Sequence, residues 1–240
     1  MKTPQSKITI IVVCVCALLS ACASPSRQAA RPPGVIGVVY TQVYPDGGRL
    51  KEIPTEVTIV KREATTSLVG AQVALNVVML AMGGGFGFQS FSKDGFKGAV
   101  IEGSVDRVNL TDPAAGTFMV ALRASVNDAV QADTTLRQKI FNNSLNVIGG
   151  TKLVYETLTG TDEERYRLKT DLMIFKKKES AGLVSVTPFV TVNCQNQSPV
   201  PLTQATWAEN NYQIVKNEVE SMYAACQKKV LADLHNLLKD

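Results

Sequence analysis

A stripe of apolar residues near the carboxy terminus places the strongest constraint on the fold. Between about residues 206 and 238, apolar side chains recur at steps of three and four, which is the repeat of one helix face. The stripe consists of Val215, Val219, Met222, Cys226, Val230, Leu234 and Leu237. The pattern predicts a long terminal helix that carries Cys226 on its buried side.

Apolar residues that alternate with polar ones predict strands before this helix. The predicted strands are 35–44, 56–61, 99–108, 118–126, 152–158, 166–175 and 184–194. A turn signal, Pro45-Asp46-Gly47-Gly48, makes the first two a hairpin or two nearby antiparallel strands. Pro188 favours an edge position for the last strand, because proline cannot donate to a ladder of hydrogen bonds.

A second helix is predicted over residues 133–148. It would begin at Asp133 as a cap and end at the pair Gly149-Gly150. Together with the strands, the two helices predict an α+β domain, an antiparallel sheet with helices mainly on one face and a long C-terminal helix.

The amino terminus reads as an export signal rather than as part of the fold. Lys2 and Lys7 precede an apolar or small-residue run of 12 residues, 8–19. A run of this length is too short to cross a bilayer as a mature helix but suits the apolar region of a signal peptide.

The residues that follow this run, Leu19-Ser20-Ala21-Cys22, resemble the lipobox of bacterial prolipoproteins. The resemblance implies cleavage before Cys22, a diacylglyceryl thioether on its sulfur and an acylated amine. It also implies that Ala23, which is not an aspartate, directs the protein to the outer membrane. Two or more acyl chains would anchor the protein stably. The resemblance covers the leader only and gives no family for the rest of the chain.

We therefore expect a signal peptide over 1–21, a lipidated cysteine and flexible tether over 22–34, and one periplasmic domain over 35–240. The tether is rich in proline and poor in bulky apolar residues, so it would extend by about 3 Å per residue. Cleavage leaves a formal charge of +2, because Lys2 and Lys7 leave with the signal. Such a balance gives no argument for a nucleic-acid partner.

The remaining cysteines, Cys194 and Cys226, predict a disulfide in an oxidising compartment. Each lies in a predicted apolar layer, one on a strand and one on the terminal helix. Closing the loop between them would contribute roughly 3–4 kcal/mol. The alternatives are a metal pair or a redox centre, for which the spacing is not CxxC and His235 is the one available imidazole.

An uncharged stretch of 29 residues, 64–92, is the feature most open to a functional interpretation. A helix over 68–82 would place Gln72 and Asn76 on one face, and the glycines 83–85 would end it. One interpretation is a central core helix. A second is an interaction segment for another protein, a second copy or the membrane surface, and a third is a mobile loop. Its candidate residues are Leu68, Gln72, Asn76, Gly84, Phe86 and Phe88.

The sequence carries no motif that we would assign to an enzyme. No GxSxG or HExxH is present, no SxxK frames a Ser/His/Asp set, and the glycine run lacks the spacing of a nucleotide-binding loop. We predict no catalytic residue, no metal and no cofactor. The run Lys176-Lys177-Lys178 predicts a charged strand end, with contact to lipid phosphates or anionic glycans as the alternative.

The expected function is that of an outer-membrane lipoprotein facing the periplasm, which acts as a non-enzymatic binding or envelope-assembly partner. Its partners would be the membrane, through the anchor, and another envelope protein or a second copy. One alternative is an immunity or inhibitor lipoprotein that neutralises a periplasmic toxin or lytic enzyme. Another is a membrane-associated oligomer that uses residues 64–92. The sequence does not separate these three.

Overall fold

The computed structural model of the chain describes residues 31–50, 52–61, 105–156, 163–180 and 188–239. In chain order, its elements are β1 (Val38–Tyr40), β2 (Glu56–Val60), β3 (Val105–Thr111), α1 (Thr117–Ala132), a 3₁₀ turn (Leu136–Gln138), β4 (Leu145–Glu156), β5 (Arg165–Lys177), β6 (Phe189–Gln197), β7 (Leu202–Thr203), α2 (Gln204–Ala232) and α3 (Leu234–Leu237). The predicted α+β class is confirmed.

The seven described strands form one mixed sheet around β4. Along one edge, β4 pairs antiparallel with β5 over its whole length, and β5 in turn pairs antiparallel with β6 and β7. Along the other edge, β4 carries two short parallel strands in succession, β1 at Leu145–Val147 and β2 at Lys152–Val154. β3 pairs antiparallel with β2. The sheet is thus antiparallel on one side of β4 and parallel directly on its other side.

The predicted hairpin between residues 35–44 and 56–61 is wrong. β1 and β2 do not pair with each other, since both lie along the same edge of β4. The turn signal does form a turn, in which the Tyr44 amide donates to the Gly48 carbonyl at 2.8 Å. That turn lies within the connection between the two strands, so it reverses the chain locally without setting strand pairing.

Residues 118–126 form a helix instead of the predicted strand. The buried residues of α1 are Phe118, Met119, Leu122, Val126 and Val130, and their steps of one, three and four are helical. Val120, which a strand would place on the same face as Phe118 and Leu122, is 70% exposed. Three of the five alternating apolar residues, Phe118, Leu122 and Val126, therefore belong to the buried face of a helix, and the period of two was misleading.

The helix predicted over 133–148 is also wrong, because this segment contains the short 3₁₀ turn and then the start of β4. The pair Gly149-Gly150 lies inside β4 instead of ending a helix. Gly149 has φ +114°, and a Cβ there would lie 2.0 Å from the backbone oxygen of Asp171 on β5. Glycine is needed at this position for the close approach of two strands.

The long terminal helix is confirmed as α2 followed by the short α3. All seven residues of the predicted stripe are buried. The Thr203 hydroxyl caps α2 by accepting from the Thr206 amide at 3.2 Å. Residues 209–212 interrupt α2, where Asn210, Asn211 and Tyr212 all have positive φ.

One apolar core lies between the sheet and helices α1 and α2, which agrees with helices on one face. Trp207 is part of this core, and its Nε1 donates to the Tyr166 carbonyl at 2.8 Å. β5 confirms the strand predicted over 166–175. β6 confirms the described part of the last predicted strand and lies at an edge among the described strands, as Pro188 indicated.

Candidate functional site

A disulfide joins Cys194 of β6 to Cys226 of α2, as predicted. The two Cα atoms are 5.3 Å apart, and both side chains are buried. The bond links the edge strand to the helix that covers the sheet. It therefore ties the carboxy-terminal helix to the fold covalently.

The β4 edge has a gap between its pairings with β1 and β2, and side chains fill it. The Tyr40 hydroxyl donates to the Gly149 carbonyl at 2.5 Å and accepts from the Gly149 amide at 3.2 Å. The Thr151 amide donates to Oδ2 of Asp112 at 2.6 Å. A hydroxyl and a carboxylate thus replace the backbone partners that a continuous strand would supply.

Asp112 is the centre of a buried polar cluster that consists of Asp112, Thr151, Thr170 and Tyr223. Its Oδ1 accepts from the Tyr223 hydroxyl at 2.6 Å and from the Ala114 amide at 2.9 Å. The Thr151 hydroxyl lies 2.9 Å from that of Thr170 and 3.2 Å from that of Tyr223. The cluster connects the turn before α1 to β4, β5 and α2.

Burial raises the pKa of Asp112 and also that of Tyr223. A buried carboxyl with a raised pKa is often found at active sites. Here, however, both carboxylate oxygens have partners from within the fold, including two backbone amides. These contacts are typical of a structural carboxylate. No pattern in the sequence reveals the cluster, because its four members come from distant segments.

A second ionisable pair, Lys152 and Asp171, lies on the opposite face of the sheet. Each directly follows a residue of the Asp112 cluster along its strand, and successive side chains alternate between faces. Asp171 is 7% exposed, and its Oδ2 has no hydrogen-bond partner among the described residues. Burial raises the pKa of Asp171 to about 6. A hydrogen bond from Gln195 and the positive charge of Lys152 act in the opposite direction and lower this pKa, but burial has the larger effect. Burial likewise lowers the pKa of Lys152.

Two adjoining open recesses lie where the last helix meets the 3₁₀ turn and the start of β6. The first, of about 450 Å³, is lined by Thr135, Leu136, Lys139, His235, Asn236 and Lys239. The second, of about 430 Å³, shares Asn236 and Lys239 and is also lined by Lys178, Phe189, Val190 and Thr191. We call the two together the basic recess, because three lysines from separate segments meet there.

The three lysines of the run Lys176-Lys177-Lys178 lie in different environments. The predicted charged strand end is therefore only partly observed. Lys176 is buried, pairs with Oε1 of Glu179 at 2.7 Å and lies 5.8 Å from the centre of the Phe141 ring. Lys177 is exposed, and Lys178 lines the basic recess. Only part of this charge is therefore presented to solvent.

Several predicted residues lie outside the part of the chain that the structure describes. They are Cys22 and the interaction residues Leu68, Gln72, Asn76, Gly84, Phe86 and Phe88. Within the described ranges, no helix has both the length and the apolar character that crossing a bilayer requires. Comparison with protein-family models, curated proteins and solved structures gives no match.

Proposed function

We propose that the chain is an outer-membrane-anchored periplasmic lipoprotein that acts as a non-enzymatic binding or envelope-assembly partner. The observation that carries this proposal is the sequence Leu19-Ser20-Ala21-Cys22 directly after a short apolar run with lysines before it. This is the arrangement that lipidation of Cys22 needs, since a thiol must follow small residues that a peptidase can accommodate.

The disulfide supports export. Structural disulfides form and persist in oxidising compartments such as the periplasm and are rare in the cytosol. The Cys194–Cys226 bond joins a strand and a helix that both belong to the core. A body built in this way suits the compartment to which the leader would deliver it.

The contacts of the ionisable groups favour a binding role over catalysis. Burial raises the pKa values of Asp112 and Tyr223. The Tyr223 hydroxyl donates to Asp112, Asp112 accepts from the Thr151 amide, and Tyr223 accepts from the Thr151 hydroxyl. The basic recess, in contrast, is open, and Lys239, which lines it, is exposed. An open charged surface is suited to contact with a large partner or a membrane.

The anchor is tested with Cys22→Ser, and Cys16→Ser in the apolar run is the matched control. Cells are labelled with a radioactive fatty acid, and membranes are separated on a density gradient. The wild-type and Cys16→Ser proteins should take up label and migrate with the outer membrane. Cys22→Ser should remain an unlabelled precursor. Label entering the Cys22→Ser protein, or wild type without acyl mass, would refute the anchor.

The partner role is tested by crosslinking in intact cells, followed by purification and mass spectrometry. An assembly partner should be a resident envelope protein that is captured with wild type and lost with Cys22→Ser. Deletion of the gene should then sensitise cells to envelope stress. Normal growth of the deletion strain until one specific toxin is present would instead identify an immunity protein.

A further inference from the structure

The sheet topology brings four separate segments to one end of the body, which we call the entry end. β1 and β4 are parallel and both begin there, while β5 ends there and β6 begins there. Gly34, just before β1, donates its amide to the Lys139 carbonyl at 2.8 Å. The chain that comes from the expected tether therefore joins the body directly beside the basic recess.

The entry end presents positive charge from segments far apart in sequence. Lys139 follows the 3₁₀ turn, Lys178 follows β5, and Lys239 follows α3; all three line the basic recess. The exposed Arg137 lies two residues before Lys139. Charges gathered in this way attract anionic surfaces, and each lysine near a membrane contributes on the order of 1 kcal/mol.

Two acidic side chains at this end are already engaged within the fold. Oδ2 of Asp133 lies 2.9 Å from Nε2 of His235, and its Oδ1 accepts from the Thr135 and Leu136 amides. Glu179 is bound by the buried Lys176 and by the Asn143 amide at 3.2 Å. Within the described part of this end, both carboxylates thus have partners that belong to the fold.

An apolar side chain accompanies the lysines. Ile140, next to Lys139, is 55% exposed although Phe141 beside it is buried. An exposed large aliphatic residue among basic side chains is the composition of surfaces that lie at a membrane interface. The neighbouring Ile140 can enter the headgroup region while the lysines meet phosphate.

We propose that the entry end docks on the membrane that holds the anchor, with the basic recess binding phosphate groups of anionic lipid headgroups. This inference rests on the proposed function, because lipidation at Cys22 would place the entry end next to the membrane. Gly34 lies twelve positions after Cys22, a span of roughly 35 Å when extended. Because a strand rises about 3.3 Å per residue, the opposite end of β5 would lie about 40 Å farther from the membrane than the entry end.

The test uses the full lipidated protein, purified and reconstituted in vesicles, after mass spectrometry has established the acyl groups. An environment-sensitive dye is attached through Gln138→Cys at the entry end. The matched site is Val200→Cys, an exposed position beside β7 at the other end of the sheet. With anionic phospholipid vesicles, the dye at 138 should shift to the blue and the dye at 200 should not. Vesicles of phosphatidylcholine alone should shift neither.

Charge removal then tests the lysines. Lys139→Gln with Lys239→Gln should lower the ratio of docked to undocked body roughly 30-fold and abolish the blue shift. The control pair, Lys216→Gln with Lys228→Gln, removes the same charge from α2 outside the recess and should keep the shift.

Five results would overturn the inference. Absence of acyl mass would overturn the proposed function and the membrane orientation with it. A correct acyl mass with no blue shift, or with equal shifts in both kinds of vesicle, would overturn the docking alone. An equal effect of the control pair would show that overall charge, and not the recess, is responsible. A shift produced by inorganic phosphate added to phosphatidylcholine vesicles would identify a site for free phosphate.

Discussion

Substitution of Asp171 by asparagine should stabilise the protein at neutral and alkaline pH. The folded pKa of Asp171 is about 6, above its ordinary value of 3.8, because burial disfavours the charged form. Folding therefore favours the protonated carboxyl. The stability that this preference supplies is present below about pH 4 and is lost as the pH rises through about 6.

The size of the effect follows from the two pKa values. A difference of about two between the folded pKa and the ordinary pKa means that folding favours the protonated carboxyl over the ionised one by about 3 kcal/mol. Asparagine resembles the protonated form at every pH, and its oxygen can keep the hydrogen bond from Gln195. Asp171→Asn should therefore match wild type near pH 4 and be more stable by up to about 3 kcal/mol at pH 8.

Urea unfolding at both pH values measures this difference. The fluorescence of Trp207, the one tryptophan of the chain and a buried one, reports unfolding. Asp128→Asn makes the same chemical change at an exposed position on α1, and should alter stability by less than about 0.5 kcal/mol at either pH. An Asp171→Asn protein that is no more stable than wild type at pH 8, or equally stabilised at pH 4, would refute the reasoning.

Three further substitutions or treatments test the buried contacts. Tyr223→Phe removes the donor to Asp112 and should lower the free energy of unfolding by about 2 kcal/mol in the same titration; an unchanged midpoint would show that the carboxylate does not need that hydroxyl. Peptides with Cys194 and Cys226 should be recovered joined without reductant, and reduction should cost roughly 3–4 kcal/mol; two free thiols in the native protein would contradict this. Gly149→Ala should lower the melting temperature by several degrees, since the new carbon would lie 2.0 Å from a backbone oxygen of β5, and a wild-type melting curve would be the contrary result.

The Asp112 cluster and the basic recess could not have been found in the sequence. Asp112 and Tyr223 are separated by 111 positions, and no motif relates them. Lys139, Lys178 and Lys239 come together because β4, β5 and α3 all begin or end at one end of the sheet. Proximity between such distant positions depends on strand order and direction, which local patterns do not encode.

The two wrong elements have a shared cause. Apolar spacing over 118–126 is compatible with a period of two and with helical steps, and only packing on the sheet selects the helix. The pair Gly149-Gly150 is a sound stop signal for a helix, yet it is also what a close approach between strands requires. A local pattern of this kind is compatible with two secondary structures, and the tertiary contacts determine which of them forms.

The sequence alone was sufficient to predict the terminal helix, β5, β6 and the Cys194–Cys226 pairing. Each depends on a long repeat or on residues with one dominant chemistry, so the inference needs little knowledge of neighbours. The tertiary structure decided the parallel placement of β1 and β2, the identity of α1 and the surfaces that the body presents. These features depend on which distant segments pack together and exclude water from their contact. Such contacts form only when the whole chain packs.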